Sequence, residues 1–231
     1  MAVIVSLVIW NAGAGVVPDI GYWPDTLFIA YLLLPLTLLV PLLALPLVGS
    51  RMLLPGAVGF AVLAVGLHLL GMESLFNVAK LLALTALGFW FMQLFEELSW
   101  VVLIALIIPW VDALSVWRGP TDYVVSEQPG LFERVSIAFR LPGEEGSANI
   151  GPPDILFFAL FLSAAQRFGL RVVWTWFTMV GFLSATLLLT TATDISGLPA
   201  LPAIALGFVL PNADLIWSAW RKQRRVAPDE T

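Results

Sequence analysis

The sequence predicts an all-α, multi-pass membrane protein of about eight transmembrane helices, with a short β-hairpin in its longest connection. Two observations predict this fold class. Hydrophobic residues make up 60% of the 231 residues and charged residues only 12%, and the apolar residues fall into separate runs. A helix needs about 20 apolar residues to cross a bilayer, so a chain of this length has room for roughly eight crossings. The composition excludes an ordinary soluble domain.

The apolar runs place the predicted helices at 2–17, 26–48, 52–71, 77–94, 98–117, 153–170, 172–192 and 198–218. The first run is interpreted as a short spanning segment, because it lacks the basic start and the cleavage site of a secretory signal. Pro35, Pro41 and Pro46 predict kinks in the second run. A membrane helix tolerates such prolines where neighbouring helices satisfy the freed carbonyls.

The predicted organisation is one transmembrane domain, residues 1–220, followed by a basic cytoplasmic tail, residues 221–231. The domain divides into N-terminal helices, 1–95, and a C-terminal half, 98–218, which contains the long connection 118–150. Basic residues concentrate on the cytoplasmic side of membrane proteins. A cytoplasmic C-terminus places seven basic residues inside (Arg51, Arg167, Arg171, Arg221, Lys222, Arg224 and Arg225) and three outside (Arg118, Arg134 and Arg140).

The connection 118–150 contains two segments of extended character, Tyr123 to Val125 and Val135 to Leu141. The sequence Gln128-Pro129-Gly130 between them is typical of a turn. We therefore expect a β-hairpin between these two segments. A loop without strands is the alternative, because a two-stranded hairpin is marginally stable by itself.

Asp112 and Asp154 are the candidate catalytic residues. Charged groups inside a bilayer are costly, so each one is a candidate functional residue. Asp112 lies inside the fifth apolar run and Asp154 opens the sixth. The fifth run ends on the membrane side where the sixth begins, so we expect both carboxylates at the same depth.

Two neighbouring carboxylates predict a particular chemistry. In a site of low dielectric constant they cannot both ionise cheaply, so the pair shares one proton. The ionised member can accept a proton from water while the protonated member polarises a peptide carbonyl. This is the chemistry of aspartic proteases, and it requires no cofactor and no metal. The proton belongs to the pair, so neither residue is assigned a separate role. The absence of cysteine excludes a thiol nucleophile and thiolate metal sites.

A third segment, Pro199-Ala200-Leu201-Pro202, begins the last apolar run at the same expected depth. Prolines at this point leave backbone groups free to face a cavity or a ligand. An ordinary helix start is the alternative interpretation, because proline suits the first turn of a helix.

These three segments resemble the presenilin and signal peptide peptidase family of intramembrane aspartyl proteases, the GxGD type. The family carries a Tyr-Asp pair, a Gly-x-Gly-Asp motif in the next helix and a Pro-Ala-Leu motif in the last helix. The counterparts here are Val111-Asp112, Gly151-Pro152-Pro153-Asp154 and Pro199-Ala200-Leu201, extended by Pro202. The resemblance covers the C-terminal half, from about residue 98 onward.

The resemblance implies a presenilin-like helix bundle that hydrolyses peptide bonds within or near transmembrane segments. It implies substrates that are transmembrane proteins or signal peptides, a lipid bilayer as surroundings, and no nucleic-acid partner. The implied catalytic residues are Asp112 and Asp154, supported by Gly151, Pro153, Pro199, Ala200, Leu201 and Pro202. An extended substrate is expected to pair with the strand at 135–141.

Two departures from the family pattern keep other functions open. Val111 replaces the tyrosine and Pro153 replaces the glycine before the second aspartate, which suits a catalytically silent relative that binds helices. The family also has nine helices rather than eight. A small proton-coupled transporter is a third possibility, although no inverted repeat supports it. Prepilin-type peptidases use two membrane aspartates but lack the final proline motif.

Other polar residues receive no catalytic role from the sequence. Asp25 is placed in an outer connection, and Lys80 is placed near the outer end of the fourth apolar run. Asp214 lies late in the last run, too far along the helix to join the aspartate pair.

Overall fold

The computed structural model describes residues 2–19, 21–118, 134–143, 147–193 and 198–226. The described helices are α1 Ala2–Gly13, α2 Tyr22–Phe28, α3 Leu34–Ala44, α4 Leu53–Leu69, α5 Glu73–Met92, α6 Leu98–Arg118, α7 Pro152–Arg167, α8 Val172–Thr193, α9 Leu201–Val209 and α10 Ala213–Val226. Each of the predicted apolar runs overlaps at least one of these helices. The predicted all-α class is therefore confirmed.

Among the residues that the structure describes, five helical segments are long and apolar enough to cross a membrane: Tyr22–Leu47, Glu73–Met92, Leu98–Val116, Val172–Thr193 and Leu201–Arg221. Two further apolar helical segments, Ala2–Val16 and Leu53–Leu69, are shorter, and α7 has 16 residues. The chain thus fits a multi-pass membrane protein with five long apolar helices. The predicted number of eight crossings exceeds this count, because three of the apolar runs form helices shorter than a typical span.

The span Tyr22–Leu47 changes its hydrogen-bonding pattern twice. A π-helical turn, Ile29–Leu33, joins α2 to α3 just before Pro35, and a 3₁₀ turn, Leu45–Leu47, contains Pro46. Proline has no N–H to donate, so the helix pattern changes most easily at these positions. Pro41 lies within α3, which continues as an α-helix through it.

Helix α7, which carries Asp154, forms the centre of the bundle. It packs against α3, α5, α6, α8 and α9. Its buried residues cover every side of the helix: Ile155, Phe158, Ala159, Leu160, Phe161, Leu162, Ser163, Ala164 and Ala165. A helix that is apolar all round is typical of the interior of a bundle. Packing against these five helices therefore fixes the position of α7.

Two glycines allow close helix crossings. A Cβ atom on Gly88 of α5 would lie 2.5 Å from the backbone oxygen of Leu156 in α7, and one on Gly207 of α9 would lie 2.5 Å from the Cα of Met179 in α8. Small residues let helix backbones approach closely in membrane proteins. At the second crossing the Thr178 hydroxyl also donates to the Gly207 carbonyl at 2.6 Å.

The predicted β-hairpin is present, but with a different second strand. Strand β1, Ile137–Arg140, pairs antiparallel with β2, Ser147–Ile150, so that Ile137 faces Ile150. Strand β1 lies within the predicted extended segment 135–141. The predicted partner 123–125 and the turn 128–130 lie outside the described residues. The sequence analysis missed β2 because Ser147-Ala148-Asn149-Ile150 is short and shows no clear alternation of apolar and polar residues.

Candidate active site

Asp112 faces the beginning of α9. Helices α6 and α9 pack against each other, and the half-buried Asp112 carboxylate accepts a hydrogen bond from the Leu201 N–H at 2.9 Å. The Ala200 N–H also interacts with this carboxylate. The first N–H groups of a helix have no partner within the helix and attract anions. The backbone groups that the proline motif leaves free are therefore the groups that hold Asp112.

Asp154 is the third residue of α7, and its carboxylate accepts a hydrogen bond from the Gly151 N–H at 3.1 Å. Pro152 and Pro153 occupy the first turn of the helix. Proline loses no helix hydrogen bond there, because the N–H groups of the first turn have no intrahelical acceptor. Pro153 is thus compatible with the helix at the position where the family has glycine.

The two aspartates lie close enough to interact electrostatically, since the charge of Asp112 acts on the carboxyl group of Asp154. Helix α6 packs against α7 and α9, and α7 also packs against α9. Because Asp112 also binds Leu201, the three motif segments lie together. A Cβ on Gly151 would lie 3.1 Å from the Asp154 carboxylate. A larger residue at this position would therefore press on that carboxylate.

The three prolines of the sequence-predicted site are neighbours in sequence of Asp154 or of the residues that bind Asp112. Pro199 and Pro202 are half-buried on either side of Ala200 and Leu201, and Pro153 is exposed. The side chain of Val111 is also exposed, at 52% of its full area, and points away from the bundle. The position at which the resembled family has tyrosine therefore lies on the outer face of α6.

Asp214 belongs to a different cluster, at the far end of α9. Its carboxylate forms two hydrogen bonds of 2.7 Å with the guanidinium of Arg171, which raises the pKa of Arg171 above its usual value. The buried Asn212 accepts the Arg171 N–H at 2.9 Å and donates to the Thr175 hydroxyl and the Phe208 carbonyl, both at 2.8 Å. This cluster joins α8 to the 3₁₀ turn Leu210–Asn212 between α9 and α10.

Two charged residues have surroundings that the sequence analysis did not foresee. Asp25 was expected in an outer connection, but it lies in α2 and is only 3% exposed, with one carboxylate oxygen lacking a hydrogen-bond partner. The helix begins at Tyr22, four residues before the apolar run, because Pro24 suits a first turn. Lys80 is 9% exposed, and its ammonium donates to the backbone oxygens of Arg134 and Ser136.

The described residues include no group of three or more His, Cys, Asp or Glu side chains that could hold a metal ion. What meets at the start of α7 and α9 is a pair of carboxylates and several backbone N–H groups. Such groups can transfer protons and stabilise charge. Comparison with known proteins found no matching family model and no matching curated protein. The resemblance described above therefore rests on the three motif segments.

Proposed function

We propose that this chain is an intramembrane aspartyl protease of the presenilin and signal peptide peptidase type. It hydrolyses peptide bonds within or near transmembrane segments by means of Asp112 and Asp154. The observation that carries the proposal is that the two carboxylates lie near enough to interact electrostatically, where α6, α7 and α9 pack against one another. Carboxylates inside a membrane bundle are costly and usually functional.

In the proposed reaction the two carboxyl groups share one proton. The ionised group accepts a proton from water, and the water oxygen attacks the peptide carbonyl while the protonated group donates to the carbonyl oxygen. The carboxyl that now carries the proton donates it to the amide nitrogen while the other carboxylate accepts a proton from a hydroxyl of the tetrahedral intermediate, and the C–N bond breaks to give a carboxylic acid and an amine. The pair regains its single proton without a covalent intermediate.

The backbone N–H groups at the start of α9 have a defined part in this proposal. They hold the Asp112 carboxylate by the 2.9 Å bond from Leu201 and stabilise negative charge on the aspartate pair. The proline motif is thus a positioning element whose contribution is made through Asp112. The proline motif affects catalysis because α9 directs its first N–H groups towards the Asp112 carboxylate.

The proposed membrane arrangement has eight crossings, a cytoplasmic C-terminus and the aspartates in the outer half of the bilayer. Helix α7 has 16 residues, which corresponds to about 24 Å at 1.5 Å per residue. The hydrocarbon core is about 30 Å thick. A helix of this length is shorter than the hydrocarbon core. If its first residue lies inside the outer boundary of that core, space remains between Asp154 and the outer surface, and water can reach the site through this space.

The proposed substrates are transmembrane segments that become extended before cleavage, because the amides of a helix are internally bonded and shielded. We expect such a segment to pair with the outer edge of β2 rather than with the strand at 135–141. The outer edge of β1 already binds Trp10 and Asn77, through the Arg140 carbonyl and the Ala138 N–H. Strand β2 also leads directly into Gly151 and α7.

The test is cleavage of a panel of model transmembrane substrates by purified protein in lipid. The native chain is compared with Asp112→Asn and Asp154→Asn, and with Asp25→Asn as a matched control for a buried membrane carboxyl. We expect each of the first two variants to lose at least about 10³-fold in rate and the control to remain active. Cleavage that survives either substitution would rule out the proposed mechanism. Proton transport without cleavage would support the transporter instead.

A further inference from the structure

Three side chains from α1 and α5 bind one edge of the hairpin. Lys80 donates to the backbone oxygens of residues 134 and 136, Asn77 accepts the N–H of residue 138 at 3.4 Å, and Trp10 donates to the oxygen of residue 140 at 3.2 Å. The bonded positions are every second residue of the segment 134–140. We call Trp10, Asn77 and Lys80 the edge clamp.

The spacing of the bonds at residues 138 and 140, which lie in β1, follows from strand geometry, whereas residues 134 and 136 precede the strand. In an antiparallel pair, alternate residues direct their N–H and C=O groups towards the same edge. Residues 138 and 140 of β1 therefore direct these groups away from β2, towards α1 and α5. The edge clamp takes the place of a third strand there. Within the described ranges, no side chain from a helix is bonded to the outer edge of β2.

The burial of the Lys80 ammonium is the energetically least favourable part of this arrangement. Its ammonium is buried, and it is stabilised by two backbone oxygens and by the Phe76 ring, whose centre lies 4.1 Å away. A buried ammonium is strongly unfavourable unless it is hydrogen-bonded. A neutral residue would pack in this membrane helix at lower cost, so the buried charge and its bonds to residues 134 and 136 point to a role in holding the hairpin.

The hydrogen bonds of the clamp lie beside a small gap in the packing of β1. A crevice lies between α1, α3, α5 and β1, with Trp10, Thr37 and Asn77 among its lining residues. The Thr37 hydroxyl is buried and has no hydrogen-bond partner. The side chains of Ile137 and Phe139 are buried here, so apolar packing and the hydrogen bonds of the clamp together fix the position of the strand.

Helix α5 connects the clamp to the aspartate pair. The same helix that carries Asn77 and Lys80 crosses α7 closely at Gly88, and α7 begins three residues after Asn149 of β2. We propose that Trp10, Asn77 and Lys80 are positioning residues that fix the hairpin against α5 and block the β1 edge, so that an extended substrate pairs with β2. The substrate part of this inference rests on the proposed protease function, and the clamp itself does not.

The first experiment measures amide hydrogen exchange of residues 134–143 for protein in lipid nanodiscs, without substrate. Trp10→Phe removes one N–H donor and keeps an aromatic ring. The matched control is Trp176→Phe, which removes an equivalent indole bond of 2.8 Å to the Leu38 carbonyl, away from the hairpin. We expect exchange about two- to tenfold faster in Trp10→Phe and unchanged in the control. Unchanged exchange in Trp10→Phe would overturn the clamp.

Lys80 provides a second, independent variant pair. Lys80→Met removes the donors and Lys80→Arg retains them, so we expect fast exchange of residues 134–143 in the first and near-native exchange in the second. Equal exchange in the two variants would contradict a clamp made by hydrogen bonds.

The second experiment tests the substrate part with the steady-state kinetics of model-substrate cleavage. In Trp10→Phe we expect KM to rise about two- to tenfold while kcat stays near the native value, and Trp176→Phe to change neither. Faster exchange with an unchanged KM would overturn the role in substrate pairing and leave the clamp. If Trp10→Phe exchanges faster but the native chain cleaves no substrate, the clamp is retained and the protease function is rejected.

Discussion

Gly88 lies where α5 crosses α7, and Gly88→Ala is expected to force these helices apart. The new Cβ would lie 2.5 Å from the Leu156 backbone oxygen and 2.9 Å from the Ala159 Cβ. Backbone atoms cannot rotate away from such a contact. Overpacking of this kind costs about 1–3 kcal/mol, whereas alanine in place of glycine favours a helix by about 0.8–1.0 kcal/mol.

Gly181→Ala in α8 isolates the packing term, because no atom lies within 4 Å of its Cβ position. It gains the helix preference without the clash. The difference in unfolding free energy between the two variants is therefore expected to be about 1–3 kcal/mol in favour of Gly181→Ala. Unfolding in mixed detergent micelles, followed by circular dichroism, measures this difference. Equal stability of the two variants would refute the close crossing of α5 and α7.

Three further predictions concern other contacts. Asn212→Leu leaves the Arg171 N–H without its acceptor and should lower the unfolding free energy by about 1–3 kcal/mol; native stability in the same unfolding assay would contradict the role of this cluster. Ser184→Ala removes a 2.7 Å bond to the Ala30 carbonyl, and we expect a loss of about 0.6 kcal/mol, so a loss several times larger would show that more than one bond is involved. Val111→Tyr should change cleavage by no more than about twofold because the side chain points outward, and a tenfold gain would instead place it in the site.

The positions of the helices could be predicted from the sequence because hydropathy is a local property. The interruptions within helices depend instead on individual residues such as proline. The last apolar run, for example, divides into α9 and α10 at Leu210–Asn212, where Pro211 interrupts the hydrogen bonding. The sequence analysis treated this run as a single helix. The three shorter helices show in the same way that an apolar run does not fix the length of a span.

The candidate site could be predicted in part. Asp112, Asp154 and the proline motif stand out because charge and proline are unusual in apolar runs. The surroundings of Lys80 and Asp25 depend on tertiary contacts. The acceptors of Lys80 are backbone oxygens 54 and 56 positions later in the chain, and such pairings leave no pattern in the sequence. Strand β2 was missed for the same reason, because its pairing with β1 defines it.

The central claim is that Asp112 and Asp154 act as one unit that shares a proton. The most direct test is to measure cleavage by Asp112→Asn, Asp154→Asn and the double variant, each with native-like folding. Residues that act together are strongly non-additive, so the double variant is predicted to be no slower than the slower single variant. A double variant whose loss equals the product of the two single losses would show independent contributions and contradict the shared-proton mechanism.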